Sequence, residues 1–234
     1  MSQPLGASDS KPGTLFLVAT PIGHLQDITL RALETLKAVE LIACEDTRQT
    51  GKLLAHYQIH KPLLSLHDHN ERARTPQLLQ RLRDGQAIAL VSDGGTPLIN
   101  DPGWWLIHQA IEAQVTVTWI PGAVAFIGAL VLSGLPTDRF VFEGFLPAKP
   151  GARRARLEAL KSEKRTIVFY ESPHRLLKTL RDVRELLGEV SVCCARELTK
   201  QFEEVRRGSA RDVLEHFEQH PPRGECVVVL SSQR

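Results

Sequence analysis

The first half of the chain alternates short apolar runs with segments that have helical periodicity. Each run is four to six residues long and ends at turn or polar residues, a pattern typical of buried strands in a parallel sheet. Between them, Leu30, Leu33, Leu36 and Val39 form one helical stripe, and Thr75-Pro76 is predicted to open a helix that ends at Asp84-Gly85. This alternation predicts an α/β layer. The predicted strands are Leu15–Ala19, Leu41–Cys44, Leu63–Leu66, Ala87–Val91 and Val115–Ile120.

The second half repeats strand and helix signals in a different order. Ser172-Pro173 and Ser209 are predicted to start helices, and a basic helix is predicted after Pro147. We therefore predict two α/β domains, an N-terminal one over residues 13–122 and a C-terminal one over residues 123–234, with residues 1–12 as a disordered leader. The predicted strands are Phe140–Phe145, Thr166–Tyr170, Val190–Ala195, Glu204–Gly208 and Cys226–Leu230.

Composition excludes several classes of protein. The 234 residues are 42% hydrophobic, which is enough to build a core and argues against a mainly disordered chain. No run approaches the roughly 18 uncharged apolar residues of a membrane span. The four cysteines form no CxxC pair, so a disulfide framework or zinc site is disfavoured and a reducing cytoplasm fits best. A net charge of +2 argues against binding of nucleic acid through overall charge alone.

Polar or glycine-rich segments follow all five predicted strands of the first half. Because ligands of open α/β sheets bind beyond the carboxyl ends of the strands, five such segments together predict a site at that edge. The segments are residues 20–23, 45–48, 67–70, 92–103 and 121–125.

The segment Ser92 to Pro97 is the strongest of these signals. Its paired glycines permit positive φ and close approach of a ligand, although a tight turn that enters a helix explains the same residues. No phosphate-binding loop of the GxxxxGK[ST] type and no GxGxxG fingerprint is present, which disfavours a nucleoside triphosphate or dinucleotide but leaves an adenosyl ligand open. His67, Asp68 and His69 are interpreted as a substrate-facing loop rather than metal ligands, since no Cys, Glu or third His lies at metal-ligand spacing.

A basic segment runs from Lys149 to Arg165. Seven basic residues are opposed only by Glu158 and Glu163, which gives this segment a net charge of +5 and leaves −3 for the remainder of the chain. A solvated helix face and a phosphate-contacting patch both fit such a segment. For the second interpretation, the predicted RNA-binding residues are Lys149, Arg153, Arg154 and Arg156.

Six motifs in order resemble the ribosomal RNA small subunit methyltransferase I family of the tetrapyrrole methylase superfamily. The resemblance covers residues 13–231. The motifs are VATPIGHLQDIT (Val18–Thr29), EDTRQTGKLL (Glu45–Leu54), SDGGTPLINDPG (Ser92–Gly103), FEGFLP (Phe142–Pro147), FYESPHR (Phe169–Arg175) and RELTKQFEE (Arg196–Glu204).

The resemblance implies a two-domain tetrapyrrole methylase-like α/β fold, each domain having a mixed or parallel sheet flanked by helices. It implies a cytoplasmic homodimer that binds S-adenosylmethionine in a cleft between the domains. It also implies 2′-O-methylation of a cytidine ribose in the decoding region of small-subunit (16S) rRNA, in the assembled subunit. Carried over by position, the cofactor-binding residues are Pro21, Ser92, Asp93, Gly94, Gly95, Thr96, Ile99, Val124, Ala125, Tyr170, Glu171 and Leu198.

Such a reaction requires alignment of a ribose oxygen with the methyl group and gains from a general base. Candidate bases are Asp46, His67, Asp68 and Glu171, while Arg48 and Lys200 are candidates for positioning phosphate or stabilising negative charge on oxygen. The sequence does not choose among them. Two alternative functions stay open, methylation of a tetrapyrrole and a nonenzymatic RNA-binding module.

Overall fold

The computed structural model describes residues 13–232, which form two compact units. One unit comprises residues 13–21 and 25–123, and the other comprises residues 22–24 and 124–232. The leader predicted for residues 1–12 lies outside the described residues.

The first unit is built on a five-stranded sheet in the order β3-β2-β4-β1-β5, in which every neighbouring pair is parallel. Its nine main elements follow the alternation expected from the sequence, and a short 3-10 helix, Leu25–Asp27, precedes the first α-helix. They are β1 (Thr14–Val18), α1 (Leu30–Ala38), β2 (Leu41–Cys44), α2 (Thr47–His56), β3 (Leu63–Ser65), α3 (Glu71–Arg83), β4 (Ile88–Val91), α4 (Trp104–Glu112) and β5 (Thr116–Ile120).

Both faces of the central strands β2 and β4 are buried, which explains why these strands are continuously apolar. In β2, Leu41 and Ala43 enter a core shared with α3 and α4, whereas Ile42 and Cys44 enter a second core shared with α1 and α2. Helices on both faces of a parallel sheet confirm the predicted α/β layer. Since all five strands run the same way, their carboxyl ends meet at one edge.

Two helix predictions for this unit are wrong in detail. Leu30 is the first residue of α1 and is 79% exposed, so it does not belong to the buried stripe. Helix α3 begins at Glu71 rather than at Thr75-Pro76, and the Thr75 hydroxyl donates to the Glu71 carbonyl inside the helix. The earlier start has a tertiary cause, because the Glu71 carboxylate accepts a hydrogen bond from the Leu106 N–H of α4 at 3.1 Å.

The second unit has a mixed five-stranded sheet in the order β6-β7-β10-β8-β9. Only β6 and β7 pair in parallel, and the other three pairs are antiparallel. A capping box formed by Ser209 and Asp212 starts its last helix, as predicted. The elements are α5 (Ala125–Ser133), β6 (Phe140–Phe145), α6 (Pro150–Leu160), β7 (Thr166–Glu171), α7 (Pro173–Leu187), β8 (Ser191–Arg196), β9 (Glu204–Ser209), α8 (Ala210–Gln219) and β10 (Cys226–Ser231).

Helices also cover this second sheet. Leu157 of α6, Leu176 of α7 and Phe217 of α8 share one core with Phe169 of β7. Helix α5 packs against β7, β8 and β10 without entering that core. A sheet flanked by helices in each unit confirms the predicted fold class.

All four cysteines are free and buried, and burial raises the pKa of the Cys44 and Cys193 thiols.

Within residues 13–232, no helix combines the length and the apolar character needed to cross a membrane.

Candidate functional site at the carboxyl edge of the first sheet

The loops after β1 and β4 are joined at the carboxyl edge of the first sheet. Thr20 and Gly95 each donate a backbone N–H to the carbonyl of the other, at 2.8 and 3.0 Å. The Thr20 hydroxyl adds a hydrogen bond to the Ser92 carbonyl at 3.3 Å. Gly95 has φ of 96°, a conformation that glycine adopts without steric cost, so the second glycine of the predicted loop is required by its backbone.

Hydrogen bonds also connect the loops of the other strands. The N–H of Asp46, after β2, donates to Asp93 Oδ1, after β4, at 3.0 Å. The Thr96 hydroxyl donates to the Ala123 carbonyl, beyond β5, at 3.2 Å, and the Ser65 hydroxyl of β3 donates to the Glu45 carbonyl at 3.3 Å. The polar segments that the sequence placed after five separate strands therefore form one connected edge.

The loop from Ser92 to Gly103 holds a strained backbone. Leu98 and Asn100 have φ of 71° and 66°, and Gly103 has φ of 124°. A left-handed conformation at a residue such as leucine costs about 1–3 kcal/mol and is concentrated at ligand-binding segments. The predicted cofactor residues of this loop differ in exposure, with Ser92 and Gly95 buried, Thr96 and Ile99 half-buried, and Asp93 and Gly94 exposed. Pro21, after β1, is buried.

Asp46 and Arg48 form an ion pair at the start of α2. Asp46 is the N-cap residue, and its carboxylate accepts from the Arg48 backbone at 2.8 Å and from the Arg48 guanidinium at 2.6 Å. Hydrogen bonds from Arg48 lower the pKa of Asp46 to about 2. A carboxylate this acidic is a weak proton acceptor at neutral pH, so the arrangement favours a structural role for Asp46 and leaves an 86%-exposed Arg48 side chain beside the site.

The loop after β3 places His67 beside Asn70. The Asn70 side chain accepts from the His67 N–H at 2.9 Å and contacts the His67 Nε2 at 3.0 Å. Within the described residues, His67 Nδ1 is buried without a hydrogen-bond partner, and the rings of His67 and His69 approach at 5.9 Å. Asp68 is exposed at the same edge. No group of three potential metal-ligating side chains is assembled anywhere between residues 13 and 232.

The sequence analysis missed Asp101, a carboxyl of this edge whose pKa is raised. Burial and the nearby Glu45 carboxylate raise the pKa of Asp101 to about 6, with smaller contributions from Asp93 and Asp68 and an opposing contact with the Ser92 hydroxyl. Burial and the same two aspartates also raise the pKa of Glu45. Asp101 lies within the quoted motif SDGGTPLINDPG, but only the fold brings it close to Glu45, which precedes it by 56 positions.

In the second unit, Glu171 is a buried residue whose carboxylate is fully engaged. Its Oε1 accepts from the Ser172 N–H at 2.8 Å and lies 3.1 Å from the Arg175 guanidinium, and its Oε2 accepts from the Thr179 hydroxyl at 2.6 Å. These contacts hold the end of β7 against α7. They favour a positioning role over the proton-accepting role that was one candidate for Glu171.

The other predicted residues of the second unit lie at element ends. Val124 is the N-cap residue of α5 and is followed by Ala125, and Tyr170 contacts the rings of Phe142 and Phe145 at 5.2 and 5.5 Å. Leu198 is buried, and its neighbours in sequence, Glu197 and Thr199, have φ of 50° and 64°.

Lys200 is held by two carboxylates of the second unit. Its ammonium donates to Glu197 at 3.0 Å and to Glu225 at 3.2 Å. Burial opposes the charged form, but these carboxylates outweigh it and raise the pKa of Lys200.

The basic segment is largely neutralised by partners from outside its own helix. Arg153 is only 4% exposed and is bonded to Asp182 at 2.8 Å, so the prediction that it contacts RNA is corrected to a buried structural ion pair. Arg154 binds Asp182 and Glu185, and Arg156 binds Glu143 at 2.7 Å. Lys149 is the N-cap residue of α6 and is exposed.

Comparison with known proteins identifies the family. Residues 14–214 match the model of the family described as Tetrapyrrole (Corrin/Porphyrin) Methylases. Among solved structures, a diphthine synthase aligns with a TM-score of 0.73 at 14% identity, over 94% of this chain and 90% of that one. Uroporphyrin-III-C-methyltransferase from Thermus thermophilus aligns with a TM-score of 0.65 at 23% identity, over 93% and 94% of the two chains. These likenesses concern the fold.

Relatives with much higher identity narrow this assignment. The ribosomal RNA small subunit methyltransferase I of Synechocystis sp. is 55% identical, over 94% of this chain and 79% of the relative. The protein of the same name from Thermotoga maritima is 48% identical, over 94% of this chain and 99% of the relative. The chain therefore belongs to the tetrapyrrole methylases and, within them, to the ribosomal RNA small subunit methyltransferase I family.

Proposed function

We propose that this protein transfers the methyl group of S-adenosylmethionine to the 2′-oxygen of a cytidine ribose in the decoding region of small-subunit rRNA. The observation that carries the site assignment is the connected carboxyl edge of the first sheet, where the Thr20–Gly95 bridge fixes the Ser92–Gly103 loop. Family membership supports the reaction and its RNA substrate.

The donor set at this edge fits S-adenosylmethionine. The cofactor carries a sulfonium and an ammonium against one carboxylate, so it has a net positive charge, and its ribose hydroxyls are hydrogen-bond donors. The carboxylates of Glu45, Asp93 and Asp101 are acceptors that match both properties. Pro21 and Ile99 would supply apolar surface to the cofactor, and backbone groups of residues 92–96 would supply hydrogen bonds.

The chemistry needs alignment more than activation of the methyl group. S-adenosylmethionine supplies a methyl group already activated by its bond to sulfonium. The loops at the carboxyl edge would have to hold the ribose 2′-oxygen near the methyl group and exclude water. Asp101 is the preferred proton acceptor, since a pKa of about 6 leaves it ionised yet basic at neutral pH, whereas the paired Asp46 is a much weaker base. Arg48 is available to stabilise negative charge that develops on oxygen.

The family resemblance further supports a homodimer that acts on the assembled small subunit in the cytoplasm. The resemblance also assigns cofactor contacts to Val124, Ala125, Tyr170, Glu171 and Leu198 of the second unit, where the engaged Glu171 carboxylate positions Ser172 and Thr179. A tetrapyrrole substrate is the second candidate, because the matched family model and the aligned solved structures include tetrapyrrole methylases.

One experiment separates these functions. The purified protein is incubated with methyl-labelled S-adenosylmethionine and, separately, with naked small-subunit rRNA, intact small subunits and uroporphyrinogen III. We expect label in the RNA, at a cytidine whose 3′ linkage becomes resistant to alkaline cleavage because its 2′-oxygen is methylated. Label in the tetrapyrrole alone establishes the second candidate. RNA binding without label in any substrate establishes a nonenzymatic module and overturns the proposal.

A further inference from the structure

Three aromatic rings and one guanidinium form an exposed surface at the first turns of α3 and α4, which we name the tryptophan surface (Trp104, Trp105, His108 and Arg72). The rings of Trp104 and His108 are stacked, with centroids 5.3 Å apart and planes 7° from parallel. Trp105 lies against both, at 6.0 and 5.8 Å, and the Arg72 guanidinium lies 4.8 Å from the Trp105 ring centre. Although it stacks on His108, Trp104 is 63% exposed.

The fold holds this surface in place. The Glu71 carboxylate accepts the Leu106 N–H, so the residue before Arg72 is tied to the turn that carries both tryptophans. The Glu71 side chain is buried, and Leu106 is completely buried in the core under α4. Trp104 therefore lies on a helix start that is already ordered. Binding to it costs less conformational entropy than binding to a tryptophan on a mobile loop.

The tryptophan surface adjoins the proposed methyl-transfer site. Trp104 is the first residue of α4 and directly follows Gly103, the last residue of the strained loop that contains Asp101. A substrate strand whose ribose lies at the carboxyl edge of the sheet extends over neighbouring surface, and α4 begins at that edge.

The distribution of charged side chains favours phosphate contacts at the tryptophan surface over phosphate contacts at the carboxyl edge of the sheet. The carboxyl edge carries Glu45, Asp68, Asp93 and Asp101, which repel phosphate. The start of α3 instead exposes Arg72 and Arg74. The Arg154 and Arg156 side chains of the basic segment in the second unit are already bound to carboxylates.

We propose that the tryptophan surface binds a single-stranded part of the substrate RNA, with an unpaired nucleobase stacked on Trp104 and a phosphate held by Arg72. This inference rests on the proposed function and adds a specific substrate contact to it. Flat aromatic faces bordered by arginine are the usual platform for unpaired bases, because every base has a π-face and each phosphate a negative charge. A second copy of this chain is the competing occupant of an exposed tryptophan.

The test compares matched tryptophan variants of the full chain. Trp104→Ala removes the platform, Trp104→Phe retains an aromatic face, and Trp119→Ala removes another exposed tryptophan (56%) from strand β5. Affinity is measured by fluorescence anisotropy with a labelled single-stranded oligoribonucleotide, KM and kcat are measured with intact small subunits, and S-adenosylmethionine affinity is measured by calorimetry. Sedimentation velocity reports the oligomeric state.

We expect Trp104→Ala to weaken oligoribonucleotide binding and to raise KM for the small subunit by roughly 5- to 150-fold, the range that loss of one base–aromatic stack produces. Cofactor affinity and kcat should change much less. Trp104→Phe should recover most of the lost affinity, and Trp119→Ala should match the wild type.

Two results overturn the inference while leaving the proposed function intact. One is a wild-type protein that methylates RNA together with a Trp104→Ala variant that binds and methylates RNA equally well. The other is a Trp104→Ala variant whose sedimentation coefficient falls to that of a smaller species, which assigns the surface to self-association. A wild-type protein that methylates no RNA overturns the proposed function itself, and the inference with it.

Discussion

Thr20 and Gly95 exchange a pair of backbone hydrogen bonds that joins the loop after β1 to the loop after β4. These strands are parallel neighbours in the sheet, whereas the bridge is antiparallel, so it joins the two loops after the chain has turned beyond the end of each strand. The bridge fixes the position of the start of the Ser92–Gly103 loop relative to the carboxyl edge. The strained Leu98 and Asn100 follow in the same loop, so the bridge also helps to hold a backbone that would otherwise relax.

Gly95→Ala should weaken binding of S-adenosylmethionine by roughly tenfold or more. At φ of 96°, an alanine Cβ strains the backbone by about 1–2 kcal/mol or displaces the loop from Thr20. Isothermal titration calorimetry measures the change in Kd. Gly151→Ala, in α6 where an added Cβ meets open space, is the matched control and should leave Kd unchanged. Equal affinities of the two variants would contradict a role for the bridge.

Gly23→Ala probes the loop that carries Leu198 in the second unit. A Cβ at residue 23 would lie 2.5 Å from the Lys200 side chain and 2.7 Å from the Thr199 hydroxyl, so this loop must shift. We expect weaker binding of the cofactor, because the loop includes Leu198, a proposed contact. Gly51→Ala, which places its Cβ in open space on α2, serves as control. An unchanged Kd for Gly23→Ala would remove residues 198–200 from the proposed site.

Local patterns were sufficient to predict the strands and most helices. The apolar runs of β2 and β4 are buried on both faces, and burial of that kind produces a run that is easily recognised in a sequence. The errors arose where a distant residue decides the outcome. Helix α3 starts early because Glu71 binds Leu106, 35 positions away.

Distant residues also decide which charged side chains are paired or buried, both at the candidate site and in the basic segment. Arg153 was counted as part of a cationic patch because its partner, Asp182, lies 29 positions further along the chain. Asp101 was overlooked because its perturbation comes from burial and from Glu45, neither of which has a local sequence signature. Sequence patterns located the loops, whereas the protonation and pairing of their side chains depend on tertiary contacts.

Asp182→Ala should destabilise the second unit by about 3–5 kcal/mol, because it leaves the buried Arg153 guanidinium without its carboxylate. Urea denaturation followed by circular dichroism measures the effect. Glu185→Ala removes a 65%-exposed partner of Arg154 and should cost much less stability, because exposed ion pairs contribute little. Similar losses in the two variants would contradict a structural role for the Arg153–Asp182 pair.

Asp101→Asn should lower the single-turnover rate and abolish its dependence on an ionisation near pH 6. In the wild type, Asp101 must be deprotonated to accept a proton, so the rate should fall as the pH decreases through about 6. Asp46→Asn should keep that midpoint, since Asp46, with a pKa of about 2, stays ionised throughout this range. Rates measured by rapid quench between pH 5 and 9, at saturating cofactor and RNA, give the two profiles.

Thermal unfolding supplies an independent readout on the same variant. A carboxyl group whose pKa is raised in the folded state binds more protons when folded, so it favours folding less as the pH rises from about 4 to 6. Asp101→Asn removes the buried charge and should therefore raise Tm at pH 7 while it lowers the rate. A lower Tm of the variant at pH 7 would contradict the raised pKa of Asp101, and a full rate with an unchanged midpoint near pH 6 would show that Asp101 is not the proton acceptor.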